Sequence, residues 1–161
     1  MAIIRFMIPR FVIKFPNIQA EGFHEISIEC SAVFEALKLR RKHRYIIYRI
    51  GETCIEVEKV GGRAETFADF KSSLPYTDAR YGIFDQEYKT HDGRPASKLW
   101  FVSWLPNNST PYNKMAYTSA KGKFRESLPG VFDVQSSTVE ELESALGLAA
   151  AADEEDNEFD D

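Results

Sequence analysis

Apolar and polar positions between residues 26 and 148 follow two periods, and the points where the period changes divide the segment into elements. Over residues 26–39 the apolar positions recur every three to four residues, with Val33, Phe34 and Leu37 inward, which predicts an amphipathic helix. Residues 45–50 and 54–60 are apolar, β-branched runs separated by Gly51-Glu52-Thr53, the pattern of a hairpin. Gly61-Gly62 reads as a turn. A short helix is predicted over 66–72, with Thr66 as its cap and Phe67 and Phe70 on one side. Residues 80–88 and 98–104 read as strands, joined by the polar, Gly-Pro-containing loop 89–97. Pro106 ends the second of them, and Pro111 fits the first turn of a long helix. A further strand is predicted over 131–134, and a last helix over 137–148, capped at Ser137 with Glu140 three residues on. The fold class that follows is α/β, a single domain with a mixed sheet.

The long helix carries the most information. Over 114–130 the sequence KMAYTSAKGKFRESLPG places Lys114, Thr118, Lys121 and Arg125 within about 60° of one another at 100° per residue. Ala116, Tyr117, Ala120, Phe124 and Leu128 share the other side. The cationic edge reads either as the solvated face of an ordinary surface helix or as an offer to an acidic partner.

Charge is distributed unevenly. All 20 Lys and Arg lie at or before Arg125, and 11 of the 25 Asp and Glu lie in 133–161. Residues 1–132 therefore carry 20 − 14 = +6, and the remainder −11. A basic body can meet an acidic protein, an anionic lipid or a nucleic acid, and charge alone does not choose among them. The end DEEDNEFDD, after the Ala run 149–152, is expected to be a disordered tail over 149–161: a solubilising segment, or in a sharper reading a competitor for the cationic edge. Residues 1–21 are interrupted by Arg5, Arg10, Lys14, Pro9 and Pro16, which argues against a spanning helix or a secretory signal. They read as a lineage-specific extension or as the product of a mis-chosen start codon.

Candidates for chemistry are few. Cys30 and Cys54 form neither a disulfide framework nor a metal pattern, which favours a reducing cytoplasmic or nuclear setting with each thiol a small buried hydrophobe. His24, His43 and His91 have no acidic or Cys partners at ligand spacing, so no metal or cofactor is expected. Asp85 and Glu87 share a strand face as a carboxylate pair, and a structural role is the better reading. Lys38, Arg40, Arg41, Lys42 and Arg44 follow the first helix. They read as cations on helix-terminal carbonyls, a nuclear-import patch or an anionic-lipid contact.

Several segments together carry a family resemblance. Lys114-Met115-x-Tyr117-x-Ser119-x-Lys121 resembles the KMxYxSSKD helix of the actin-depolymerising factor and cofilin family. SSLPYTDARYGIFDQEY at 72–88 is similar to that family's LPxxDxRYxxFDxxY segment, and SKLWFVSWLPNNSTPYNKM at 97–115 to its SKLxFIxWxPxxAPxxxKM segment. FEALKLRRKHRYIIYRI at 34–50 resembles the first helix, basic turn and first central strand. The match runs in order over about residues 26–147, within a domain expected to span 22–148.

The resemblance implies a central, mainly antiparallel sheet sandwiched between helices, and a non-enzymatic actin-binding function. It implies actin as partner, both monomer and filament, with preference for ADP-actin and promotion of filament depolymerisation, severing and turnover. Phosphoinositides are implied as competitors for basic surface; nucleic acid is not a partner, and the chain is expected to act as a monomer in the cytoplasm, with the nucleus as a second location. Lys114 and Met115 would form the tip of the contact, with Thr118, Lys121 and Arg125 along its flank. Arg94 and Lys98 would face a neighbouring filament subunit. Gly122, Glu126 and Tyr112 depart from the family pattern, and the last helix, VEELESALGL, lacks the cations usual there, so monomer binding is expected to survive better than filament binding. The family's N-terminal regulatory serine has no counterpart at Gly22. The alternative is an adaptor or phosphoinositide-responsive module of the same fold with little severing activity.

Overall fold

A computed structural model describes residues 24–148. The expectations for residues 1–21, for Gly22 and for the acidic tail 149–161 lie outside the described residues. In chain order the elements are β1 (Glu25–Ile26), α1 (Ile28–Lys38), β2 (His43–Ile50), β3 (Cys54–Gly62), α2 (Phe67–Ser72), β4 (Arg80–Lys89), β5 (Pro95–Trp104), α3 (Pro111–Glu126), β6 (Phe132–Ser136) and α4 (Val139–Ala145). The strands form one sheet in the order β1-β3-β2-β4-β5-β6. Its two outermost pairs, β1 with β3 and β5 with β6, are parallel, and the three central pairs are antiparallel.

Side chains of the central strands alternate between two cores, as the two-residue period requires. Tyr48, Tyr81, Ile83 and Phe101 point to one face and meet Phe34 and Leu37 of α1 and Tyr117, Ala120 and Phe124 of α3. Tyr45, Ile47, Phe84, Val102 and Trp104 point to the other, against Phe70 of α2 and Leu142 and Leu146 of the α4 segment. Two glycines permit close approach. A Cβ on Gly61 would sit 2.1 Å from the Tyr45 ring, and one on Gly82 would sit 2.8 Å from Phe70.

The sandwich and its element order agree with the expectation, and several boundaries move. The first helix begins at Ile28, not at residue 26, because Ser27 caps it and the preceding Ile26 pairs with Ile55 in β1. Gly61 and Gly62 are not a turn; they complete β3 opposite Tyr45 and His43, where the Tyr45 ring leaves no room for a side chain. The loop predicted over 89–97 shrinks to a turn, since Lys89 already pairs with Pro95 and the Thr90 amide donates to the Arg94 carbonyl at 2.8 Å. The last strand runs Phe132–Ser136. The last helix is capped by Thr138, not Ser137: Thr138 Oγ1 accepts from the Glu141 amide, and the Glu141 carboxylate accepts from the Ser137 amide. The two bonds are offset by one residue: the carboxylate reaches the amide before the cap rather than that of Thr138 itself.

Candidate functional site

Helix α3 is positioned at its start by three local devices. Thr110 caps it by accepting from the Asn113 amide at 3.1 Å, Pro111 occupies the first turn, and Asn113 Oδ1 accepts from the Ala79 amide at 2.8 Å. The last bond ties the helix start to the segment leading into β4. Further along, the Ile50 amide donates to the Tyr117 hydroxyl at 2.9 Å, and the Tyr81 hydroxyl donates to the Tyr117 carbonyl. Tyr81 stacks against Tyr117 and Phe124 with ring centroids 4.9 and 5.1 Å away, and Tyr48 meets Phe124 at 4.9 Å. Burial pushes the Tyr48, Tyr81 and Tyr117 phenols up, so all three remain neutral. Truncating a fully buried ring such as Phe124 would cost about 3–5 kcal/mol, so the helix is held rigidly against the sheet.

The outward edge of this fixed helix divides into two halves. Met115 is 60% exposed and Tyr112 77% exposed, with Lys114 between them half-buried. Thr118 is exposed and donates its hydroxyl to the Lys114 carbonyl at 2.8 Å, one turn back along the helix. Lys121 and Arg125, in the second half, both reach Asp133 on β6. Lys121 Nζ lies 3.2 Å from one carboxylate oxygen and Arg125 Nε 3.3 Å from the other, while Arg125 Nη2 donates to the Val131 carbonyl at 3.2 Å. The predicted stripe therefore exists as a row, but its second half is an internal ion pair. Asp133 was not among the residues the sequence singled out, because its partners lie on another element and no periodicity links them. Gly122 stands in open space, and Glu126 is exposed.

The two residues expected to meet a second subunit do not converge. Arg94 sits in the β4–β5 turn, 3.4 Å from Asp92 and strongly exposed. Lys98 is four residues further along β5, roughly 13 Å away in an extended strand. Its ammonium lies 4.5 Å from the Trp100 ring and 4.3 Å from the Phe132 ring. On the adjoining helix, Glu143 pairs with Lys71 at 2.7 Å and fastens α4 to α2. Leu142 and Leu146 bury against the sheet, leaving Glu140, Glu141, Ser144 and Ala145 exposed.

The basic cluster after α1 is largely occupied. Lys38 donates to the Pro129 carbonyl at 2.8 Å, a carbonyl beyond α3 rather than at its own helix end. Arg41 adopts a left-handed backbone (φ 53°) just past the end of α1, where the Lys42 amide donates back to Ala36. Arg44 reaches Glu87 at 2.6 Å and Arg41 reaches it at 3.3 Å; Arg63, a residue with no sequence signal, contacts buried Asp85 at 2.7 Å and Glu87 at 3.2 Å. The hydrogen bond from Arg44, with Arg63 and Arg41 beside it, holds the Glu87 carboxyl below its ordinary value. The carboxylate pair is thus a structural counter-ion set. Arg40 and Lys42 are exposed beside it.

Burial, with Cys54 and Glu29 nearby, pushes the Cys30 thiol up to about 11; it donates to the Ile55 carbonyl and behaves as a core group. Among the described residues no three His, Cys, Asp or Glu gather as a metal site, and no helix is long and apolar enough to cross a membrane.

The structure is an α/β sandwich whose longest helix carries exposed Met115 beside half-buried Lys114 at its start. Residues 23–148 match the sequence profile of the cofilin/tropomyosin-type actin-binding proteins. Actin-depolymerizing factor 11 of Oryza sativa subsp. japonica is 39% identical over 124 residues, 75% of this chain and 86% of the relative. Actophorin of Acanthamoeba castellanii is 38% identical over 132 residues, 80% of this chain and 95% of the relative. The crystal structure of Streptomyces griseoflavus cofilin superposes with a TM-score of 0.72 at 30% identity, covering 81% of this chain and 98% of that one. The chain belongs to the cofilin/tropomyosin-type family of actin-binding proteins.

Proposed function

We propose that the protein binds actin monomers and filaments and promotes filament depolymerisation, severing and turnover, with the first turn of α3 as its principal contact. The observation that carries this reading is Met115, a flexible apolar side chain left 60% exposed beside Lys114 on a helix whose opposite face is fully buried. Such a tip supplies an adaptable apolar contact next to a cation, which suits a cleft rimmed by carboxylates. Thr118, Lys121 and Arg125 extend the contact along the helix once an acidic partner competes for the two cations that Asp133 holds. The actin-depolymerising names of the rice relative and its counterparts support the activity.

Filament engagement is weaker than monomer engagement, because α4 offers exposed acids and no cation. Lys98 is the principal filament contact, with Arg94 assisting. Phosphoinositide headgroups compete at Arg40 and Lys42, since Arg41 and Arg44 are committed to Glu87. The protein acts as a monomer within the cytoplasmic actin cytoskeleton, with access to the nucleus, and performs no catalysis.

Replacing Lys114 and Met115 together by Ala tests the reading. Neither residue is buried in a core cluster, so the fold and its circular dichroism should persist while affinity for monomeric actin falls by about tenfold or more. Unchanged affinity in a folded double variant removes the site.

A further inference from the structure

Arg44, Arg63, Arg94, Lys121 and Arg125 all meet carboxylates: Arg44 meets Glu87, Arg63 meets Asp85 and Glu87, Arg94 meets Asp92, and Lys121 and Arg125 meet Asp133. Lys98 is treated differently. Among the described residues it forms no ion pair, and its ammonium lies between two rings, 4.5 Å from Trp100 and 4.3 Å from Phe132. The register explains the convergence. Trp100 pairs with Phe132 across the parallel β5–β6 ladder, so the two rings share a face, 6.1 Å apart, and Lys98 stands two residues before Trp100 on that same face.

The arrangement is anchored from beneath. Trp100 Nε1 donates to Gln86 Oε1 at 2.7 Å, and Gln86 Nε2 donates to the Leu146 carbonyl at 3.0 Å. Phe132, on the outermost strand of the sheet, remains 53% exposed. A carboxylate would neutralise the ammonium; aromatic faces attract it while leaving its charge in place. They also restrict a side chain that otherwise loses about 2 kcal/mol of rotamer entropy on being fixed. Exposed aromatic rings are enriched at interface cores, and a cation held beside one with its charge intact is available to an acidic group of a partner.

We infer that Lys98, Trp100 and Phe132 form one contact surface for an acidic site flanked by apolar side chains on a filament subunit, with Phe132 contributing directly and also positioning Lys98. This rests on the proposed role of Lys98 as the filament contact and deepens it: the ring contact substitutes for the cations that α4 lacks. Chemistry on the same face argues against an anionic membrane as occupant, since α4 exposes Glu140 and Glu141 there and no cation.

The test uses the full chain with Lys98→Ala, Phe132→Ala, Phe132→Tyr and the Lys98→Ala/Phe132→Ala double variant, each checked for thermal unfolding. Cosedimentation with filaments and binding to monomeric actin are measured for all. Phe132→Ala should weaken filament binding by roughly fivefold and leave monomer binding unchanged, and Phe132→Tyr should retain parental binding. The double variant should lose less than the sum of the two single losses, because the two side chains act together. Filament binding that falls with Lys98→Ala but not with Phe132→Ala overturns the shared surface while leaving Lys98 as a filament contact. Additive losses in the double variant also overturn it. Filament binding unchanged by Lys98→Ala removes the filament reading itself, and equal losses for monomer and filament in Phe132→Ala make the ring a fold element only.

Discussion

Phe132 and Asp133 are neighbours on β6 and deal with cations in opposite ways. Phe132 faces the α4 side of the sheet and holds Lys98 by its ring; Asp133 faces the α3 side and holds Lys121 and Arg125 by its carboxylate. The first arrangement preserves a positive charge for a partner, and the second spends two positive charges on one acid. A count of basic residues would rank α3 as the stronger cationic surface. Pairing reverses that ranking for its second half, so the proposed contact of α3 rests on Lys114 and Met115 at its start. Arg41, Arg44 and Arg63 are a third case, in which cations serve the fold by closing over Asp85 and Glu87.

The comparison is broken most directly at Asp133. Asp133→Asn keeps the shape of the side chain and releases both cations, so association with monomeric actin should accelerate by roughly threefold at low ionic strength. The gain should fade in high salt, where the Debye length shrinks to about 3 Å near 1 M. Stopped-flow association rates decide the point. A slower variant would mean that Asp133 aligns the cations for binding rather than masking them.

The acidic character of α4 gives a smaller effect. Glu143 fastens α4 to Lys71, so charge is better added at Ser144 and Ala145, both exposed in the last turn, where a cation is also favoured by the helix dipole. Arg at both positions should raise cosedimentation with filaments by roughly two- to threefold without altering monomer affinity. No change would leave the β5–β6 surface as the whole of the filament contact.

The smallest effect lies in the third set of cations. Because the folded Glu87 carboxyl titrates below its ordinary value of 4.5, its ionised form stabilises the fold above that value, and the contribution disappears as pH falls through the lower folded value. Glu87→Gln should therefore unfold at a slightly lower temperature than the parent at neutral pH, and the gap should narrow as pH falls below 4.5 and through the lowered folded value. A gap independent of pH would place its origin in packing.

The sequence was most informative where one element decides the outcome alone. Tyr117, Ala120, Phe124 and Leu128 share a helix face by spacing, and the buried side of α3 follows from it. Boundaries moved where a second element intervenes. Ile26 left the first helix because Ile55 of β3 pairs with it, and Gly61 joined a strand because the Tyr45 ring covers it. The site divides the same way. Lys114, Met115 and Thr118 are readable from one helix, whereas the states of Lys98, Lys121 and Arg125 depend on Phe132 and Asp133, which β6 brings in across the sheet. Alternation along a five-residue edge strand sends those two residues to opposite faces, but pattern alone does not identify what they meet.

The central claim, that the exposed first turn of α3 is buried by actin, is tested most directly by oxidative footprinting of Met115. With saturating monomeric actin, sulfoxide formation at Met115 should fall by about tenfold relative to the free protein, as expected for an exposed thioether enclosed in an interface. Equal oxidation of Met115 with and without actin, under conditions where binding is complete, would contradict the account.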